Sequence, residues 1–351
     1  MKSYLKIFAS LAVGVLCTAL VARGLDGPAL KTAFGKLSPS ALALYGLTLA
    51  VTHFFRAVRW RYLLRAIGVE LSQGRLLAIS SVGFMAILAL PFRLGEFVRP
   101  YFVIRQRQTR MSEVLGTVAV ERIVDGLLVS SILVLTYVLA PDAFGKPVGV
   151  LGGAPLRGFA WLSLGLFAGA TGFLVVALLL QERAVGLFLT FSGLNRIAPQ
   201  FAARIGDRLL ALIRGFQSLR QPRNLLPFLA QSIVYWGSNG LGMWLLARSM
   251  GFPLTPVAAF AAMAFTGVVI SLPNSPGLVG QFHLGVVAVA VGFLGDQVGH
   301  SAGLAYAIVL HAAQTVWYVG VGLIAFRFTG GRKSSFREVV SASSQVAEPT
   351  G

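Results

Sequence analysis

Long apolar runs separated by short basic segments set the pattern of this 351-residue chain. A helix needs about 20 apolar residues to cross the hydrocarbon of a bilayer. Six runs meet that length: 5–22, 40–58, 113–139, 158–180, 225–247 and 302–326. Two more, 76–91 and 256–272, stop at Pro91 and Pro273, and each is followed by a Gly-containing polar segment and then further apolar residues. Proline ends a helix by removing an amide donor and clashing with the preceding turn. These stretches therefore predict two broken, re-entrant elements, over 76–100 and 256–295. A further periodic segment differs in kind. Phe201, Ile205, Leu209, Leu212, Phe216 and Leu219 recur every three or four residues, with Arg204, Arg208 and Arg214 largely off that stripe. This predicts a cytoplasmic amphipathic helix over 199–221 that lies on the inner leaflet or packs on the protein itself, and the pattern fits both.

The two broken elements sit in similar frames. "RWRYLLRAIGVEL" precedes the first and "MWLLARSMGFPL" the second; Gly68 to Pro91 spans 23 residues and Gly251 to Pro273 spans 22. Each half reads as span, span, broken element, span, which places the repeats at 1–140 and 141–327, ahead of a polar tail over 328–351 expected to be disordered. Three full spans per half is an odd number, so the copies take opposite topology. The fold predicted is an all-α polytopic membrane protein, an inverted repeat of about six spans and two re-entrant elements. Inverted repeats with interrupted helices form substrate sites where the broken segments meet.

Composition excludes a water-soluble surface. The chain is 56% hydrophobic and 12% charged, where soluble domains carry about 25% charged residues. The net charge of +18 fits basic cytoplasmic loops and anionic lipid headgroups without invoking nucleic acid. With the N-terminus inside and both broken elements returning to their own side, cytoplasmic segments hold 23 Lys and Arg and outer loops hold 6. That bias places both termini in the cytoplasm of a bacterial-type inner membrane. The short basic start and long apolar run at the N-terminus fit a retained first span better than a cleaved signal. Cys17, the single cysteine, excludes an intramolecular disulfide and a thiolate metal cluster.

The candidate chemistry gathers around the breaks. "ALPFRLGEFVRPYF" sets Arg93, Glu96 and Arg99 behind a broken apolar segment, with Gly95 permitting an unusual turn. An ionised side chain in hydrocarbon costs roughly 2.5 to 3.5 kcal/mol even on lenient scales, so such charges are paired or line a wet cavity. Glu96 is expected to pair with one arginine, leaving another for an anion such as a phosphate; anchoring at the membrane interface is the alternative. Glu121 and Asp125 share a face of the next span, beside Arg122, with Glu121 about 12 Å in from Glu113 at 1.5 Å per residue. Their expected partners are Arg93, Arg99, and Arg56 or Arg59, serving proton coupling or an ion pair that ties this span to the broken element. The second break, "SLPNSPGLVGQFH", offers uncharged hydrogen-bonding groups in Asn274, Ser275 and Gln281, with Gly277 in the turn. His53, His283 and His311 have no metal-ligand spacing, and the chain carries no P-loop, GxSxG or dinucleotide fingerprint. No cofactor is expected.

"RAVRWRYLLRAIG", "LPFRLGEFVRPYF", "ERIVDG" and "LPNSPGLVGQF", in that order, resemble the lysylphosphatidylglycerol synthase transmembrane-region family, also described as flippase-like membrane proteins. The similarity runs from the first span to about Phe326. The resemblance implies movement of a phospholipid or lipid-linked molecule between leaflets. It points to Arg93, Gly95 and Glu96; to Glu121, Arg122 and Asp125; and to Pro273, Ser275, Pro276 and Gly277. About 25 residues follow the last apolar run, so the lipid aminoacylation of bifunctional members is not expected. Relatives often carry a polar residue before the first Leu-Pro, where this sequence reads "GFMAILALP", so the same headgroup is not implied. Two other classes stay open. One is a membrane enzyme on a lipid or polyprenyl substrate, with Glu121 and Asp125 as acid and base. The other is a partner holding a separate lipid-modifying enzyme through 182–223.

Overall fold

Capping residues set where the long helices begin. In a computed structural model, which describes residues 15–19, 27–35, 37–90, 95–105, 109–180, 182–191, 199–216, 220–271 and 275–329, the described chain is helical apart from turns and short connections. After a short helix, α1 (Gly27–Gly35), Ser38 caps α2 (Pro39–Val58) by accepting from the Ala41 amide (3.1 Å), and Pro39 fills the first turn. Arg59 keeps helical angles, so α2 runs on into α3 (Trp60–Arg65). α4 (Gln73–Ala89) ends at Leu90, whose backbone is extended (φ −103°, ψ 137°), as the residue before a proline must be. Then follow α5 (Val98–Ile104), α6 (Met111–Leu139), α7 (Pro141–Gly145), α8 (Leu156–Leu180), α9 (Glu182–Phe191), α10 (Pro199–Gly215) and α11 (Pro222–Ser249). Thr255 and Pro256 repeat the Ser-Pro start at α12 (Pro256–Val269), before α13 (Gln281–Leu294) and α14 (Asp296–Phe326).

Among the described residues, three helical runs are long and apolar enough to cross a membrane: Pro39–Arg65, Leu156–Leu180 and Asp296–Phe326. They contain the expected spans 40–58, 158–180 and 302–326. The segments expected to span at 113–139 and 225–247 fold as the helices α6 and α11, of 29 and 28 residues, which are not among those three. Of 5–22 only 15–19 are described, and they are helical. Residues 330–351 of the expected tail lie outside the described residues.

Both broken elements fold as helical hairpins. α5 returns along α4, so that Gly95 sits against the backbone of Ala86 and Ile87, with no room for a Cβ. α13 returns along α12, with Gly285 packed on Thr266. Contacts between halves are reciprocal: α4 rests on α14 and α12 on α6, while α2 faces α11. The largest hydrophobic core likewise crosses residue 140, joining Tyr45, Leu49 and Val129 to α12, α13 and α14.

The amphipathic segment is the helix α10, and the described part of its apolar face packs on the protein. Ile205, Leu209 and Ile213 pack with Val185 and Leu189 of α9, and Gly215 lies against the backbone of Glu113 and Gly116 in α6. Arg204 and Arg208 are exposed. The side chains of Phe201 and Leu212, and residue Leu219, lie outside the described residues.

Candidate functional site

A buried ionic cluster ties the first hairpin to the bundle. Glu121 and Asp125 lie one turn apart on α6, and Arg59 approaches both from the end of α2. Arg59 donates from Nη1 to Asp125 Oδ1 (2.6 Å) and Ser232 Oγ (2.9 Å), and from Nη2 to Asp125 Oδ2 (2.6 Å) and Glu121 Oε1 (3.1 Å). This is the two-pronged geometry in which guanidinium meets carboxylate best. Arg99 of α5 donates from Nη2 to the other oxygen of Glu121 (2.8 Å). Its guanidinium stacks 4.7 Å from the Trp60 ring centre, and Trp60 donates to Thr117 (3.0 Å). Gly83 makes the approach possible, because a Cβ there would land on the Arg99 side chain. Arg59, Arg99 and Glu121 are wholly buried. Charges so far from water persist only when paired and hydrogen-bonded, and removing one partner strands the other.

Beside the cluster lies a cavity of about 140 Å³, framed by both hairpins and by α2, α6, α8, α11 and α14. Its polar lining includes Arg56, Glu96, Arg122, Asp125, Tyr235, Asn239, Ser271, His311, Gln314 and Tyr318. Asp125 is already occupied, since Trp236 donates to Oδ1 (3.0 Å) while Arg59 holds both oxygens. Arg122 is 3.7 Å from Glu96 and 3.9 Å from Glu121. Arg56 differs. Its guanidinium sits 4.0 Å from the Phe84 ring centre and 5.6 Å from that of Tyr318; a buried Nε without an acceptor it shares with Arg59, Arg99 and Arg122. Among the described residues it has no carboxylate within 4.0 Å. At the far wall His311 stacks on Phe282 (4.8 Å) and meets His283 edge-on (4.9 Å).

The structure sorts the residues singled out in the sequence. Glu96, Arg122 and Asp125 line the cavity. Glu121 and Arg99 belong to the cluster behind it, where Arg99 is wholly buried and gives Nη2 to Glu121. Gly95 packs the hairpin. At the second break Ser275 donates from its amide to Gln281 Oε1 (3.1 Å) and from its hydroxyl to the Val279 carbonyl (2.7 Å). Gly277 takes φ +70° in that turn. Ser275, Gly277 and Gln281 thus close the turn, while Leu278 and Phe282 face the cavity. Arg93 and Asn274 lie outside the described residues. Three of the arginines counted as loop residues, Arg56, Arg59 and Arg99, sit inside the bundle. Sequence reasoning named Arg56 only as one possible carboxylate partner and missed Tyr235, Trp236, Asn239 and Gln314. The available signal was Arg56 itself, a charge three residues before Arg59 at the end of an apolar run.

Long apolar helices, broken hairpins and a charged cavity define a multi-pass α-helical membrane protein. The chain belongs to the lysylphosphatidylglycerol synthase TM region family, whose pattern matches residues 7–322. It is similar to the glycosyltransferase AglD of Haloferax volcanii, at 25% identity over 347 residues covering 90% of this chain. The chain spans about half the length of that relative, 53%. No solved structure matches it.

Proposed function

We propose that this protein moves a phospholipid or lipid-linked molecule between the leaflets of a bacterial-type inner membrane, without hydrolysing ATP itself. The observation that carries this is Arg56, a cation in the cavity between the two hairpins with aromatic neighbours and no carboxylate in ion-pair reach among the described residues. A guanidinium so placed suits a phosphate or other anionic headgroup. Asn239, Gln314 and Tyr235 add hydrogen-bonding groups to the same cavity. Arg93, carried by the "LPFRLGE" match, is proposed as the second headgroup contact. Reciprocal packing of α4 on α14 and α12 on α6 supports an inverted repeat with both hairpins re-entrant. The exposed arginines of α10 and the basic loops face anionic lipids of the cytoplasmic leaflet. Movement is then downhill or coupled to an ion gradient.

The test is transbilayer movement of fluorescent and aminoacylated phospholipids in proteoliposomes, wild type beside Arg56→Gln and Arg93→Gln. Wild type is expected to move lipid and Arg56→Gln to move it at least about tenfold more slowly, a loss of about 1.4 kcal/mol in headgroup binding, while remaining monodisperse. Inserted wild type that moves no lipid, or a well-folded Arg56→Gln that moves it normally, overturns the proposal.

One observation favours a second function: the chain resembles about half of a protein named as a glycosyltransferase. On that basis the cavity presents a lipid-linked substrate to a separate modifying enzyme. Product formation that depends on this chain in detergent, where no leaflets exist, would favour it.

A further inference from the structure

A second concavity opens on the lipid-facing side of the bundle, between α6, α11 and α12. It is about 450 Å³ in volume and is walled by Leu128, Leu135 and Leu139 of α6, Ile233 of α11, and Val257 and Phe260 of α12. Its hydroxyls are Ser131 and Thr136, and Thr136 turns its own onto the Leu133 carbonyl (2.8 Å). Nothing in this lining rewards a polar occupant. Leu135, Leu139 and Ile233 are more than half exposed, so the groove is open along its length.

Trp236 belongs to both sites. Its indole N–H donates to Asp125 in the polar cavity, and its ring also walls the groove. The two spaces therefore meet at one side chain, polar on one side and apolar on the other. From Leu128 to Leu139 the groove follows three turns of α6, about 16 Å at 1.5 Å per residue, which is about half the hydrocarbon thickness of a bilayer. That is the reach of one leaflet. It runs towards the α6 end opposite Arg105 and Arg110, the basic side.

We propose that this groove holds one hydrocarbon chain of the lipid whose headgroup occupies the cavity, so that Trp236 marks the join between head and tail. This rests on the proposed function for the cavity and names the part of the substrate that function leaves unplaced. With the basic loops in the cytoplasm, the chain lies in the outer-leaflet half. The conformation described here then receives or delivers lipid at the outer leaflet.

Gly237 allows a direct test. It walls the groove, and a Cβ there would meet nothing within 4 Å. Gly237→Leu therefore fills the groove without disturbing the helix packing, and Ser131→Phe on α6 fills it from the opposite wall. Gly165→Leu is the control, since Gly165 on α8 is exposed and equally open but lies outside the groove. The full-length protein is reconstituted with phosphatidylglycerol carrying a photoactivatable acyl chain, and both cross-linking sites and transbilayer movement are read. Cross-links are expected on α6, α11 and α12. Each filling variant should lower cross-linking and movement about tenfold, the loss of a few buried methylenes, and Gly165→Leu neither. Cross-links scattered over all lipid-facing helices, as for ordinary surrounding lipid, overturn the inference. So do filling variants that move lipid within about twofold of wild type while Arg56→Gln does not, an outcome that leaves the proposed function intact. If wild type moves no lipid, the proposed function falls, and loss of groove cross-links in both filling variants still decides the chain site.

Discussion

The two hairpins are held by opposite means. The first is fastened to α6 through charge: Arg99 to Glu121, with Glu96 beside Arg122. The second carries no such fastening among its described residues. It is held by small, close-packed residues, Ala258, Ala261, Ala262 and Ala264 on α12 and Gly285, Val287 and Ala288 on α13, and its turn is closed by Ser275 and Gln281. Buried ion pairs are directional and costly to break, whereas apolar packing between helices tolerates small slides. The first hairpin is therefore held to the cavity wall by directional ion pairs, and the second by close steric fit.

Substitutions can break or sharpen this contrast. The largest expected effect is Glu121→Gln, which strands Arg99 and weakens Arg59. A loss of about 3–5 kcal/mol is expected, read as a collapse of thermal stability and of the monodisperse fraction in detergent. A fall no greater than that of a single turn mutant would show that the first hairpin is not held by charge. Next comes Gly285→Val, whose side chain collides with Thr266. Overpacking of this kind costs about 1–3 kcal/mol, and the melting temperature should fall while the Glu121 cluster stays intact. Ser275→Ala removes the hydroxyl bond to Val279 and should cost about 0.5–1.5 kcal/mol, measured as a small shift in the same melt. The smallest effect is a near-cancellation. Leu278 holds φ at +59°, a region that penalises L-residues by about 1–2 kcal/mol. Leu278→Gly relieves that strain but gives up the leucine's packing on the main core and adds the entropy cost of glycine, so stability in the same melt should change by less than about 1 kcal/mol.

Much of the helical layout is legible because proline and capping residues act locally. Pro91 forces Leu90 out of helical angles, and Ser38-Pro39 and Thr255-Pro256 start helices where they stand. The hairpin turns follow from such short-range rules. The site is less legible because its pairings are distant. Arg59 finds its carboxylates 62 and 66 residues further on, and nothing local separates it from Arg56, three residues earlier, or from Arg99. Packing makes the choice: Gly83 clears a path for Arg99, and Phe84 occupies the position that leaves Arg56 facing the cavity. The roles of Ser275 and Gln281 were hidden similarly. Their polar groups look available in the sequence, and only the folded turn shows the Gln281 oxygen taken by the Ser275 amide and the Ser275 hydroxyl by the Val279 carbonyl.

The span of chain between Arg59 and its partners also bears on how the protein is made. As α2 enters the membrane, Arg59 arrives with it, yet the carboxylates that neutralise it come with α6, more than sixty residues later. Until then a lone cation is unwelcome in hydrocarbon and must stay near water, at the basic end of the helix. Glu121 and Asp125 face the mirror-image problem when α6 follows. The joining of α2, α5 and α6 is therefore a late and shared event of biogenesis, and the ionic cluster serves as the latch that records its completion.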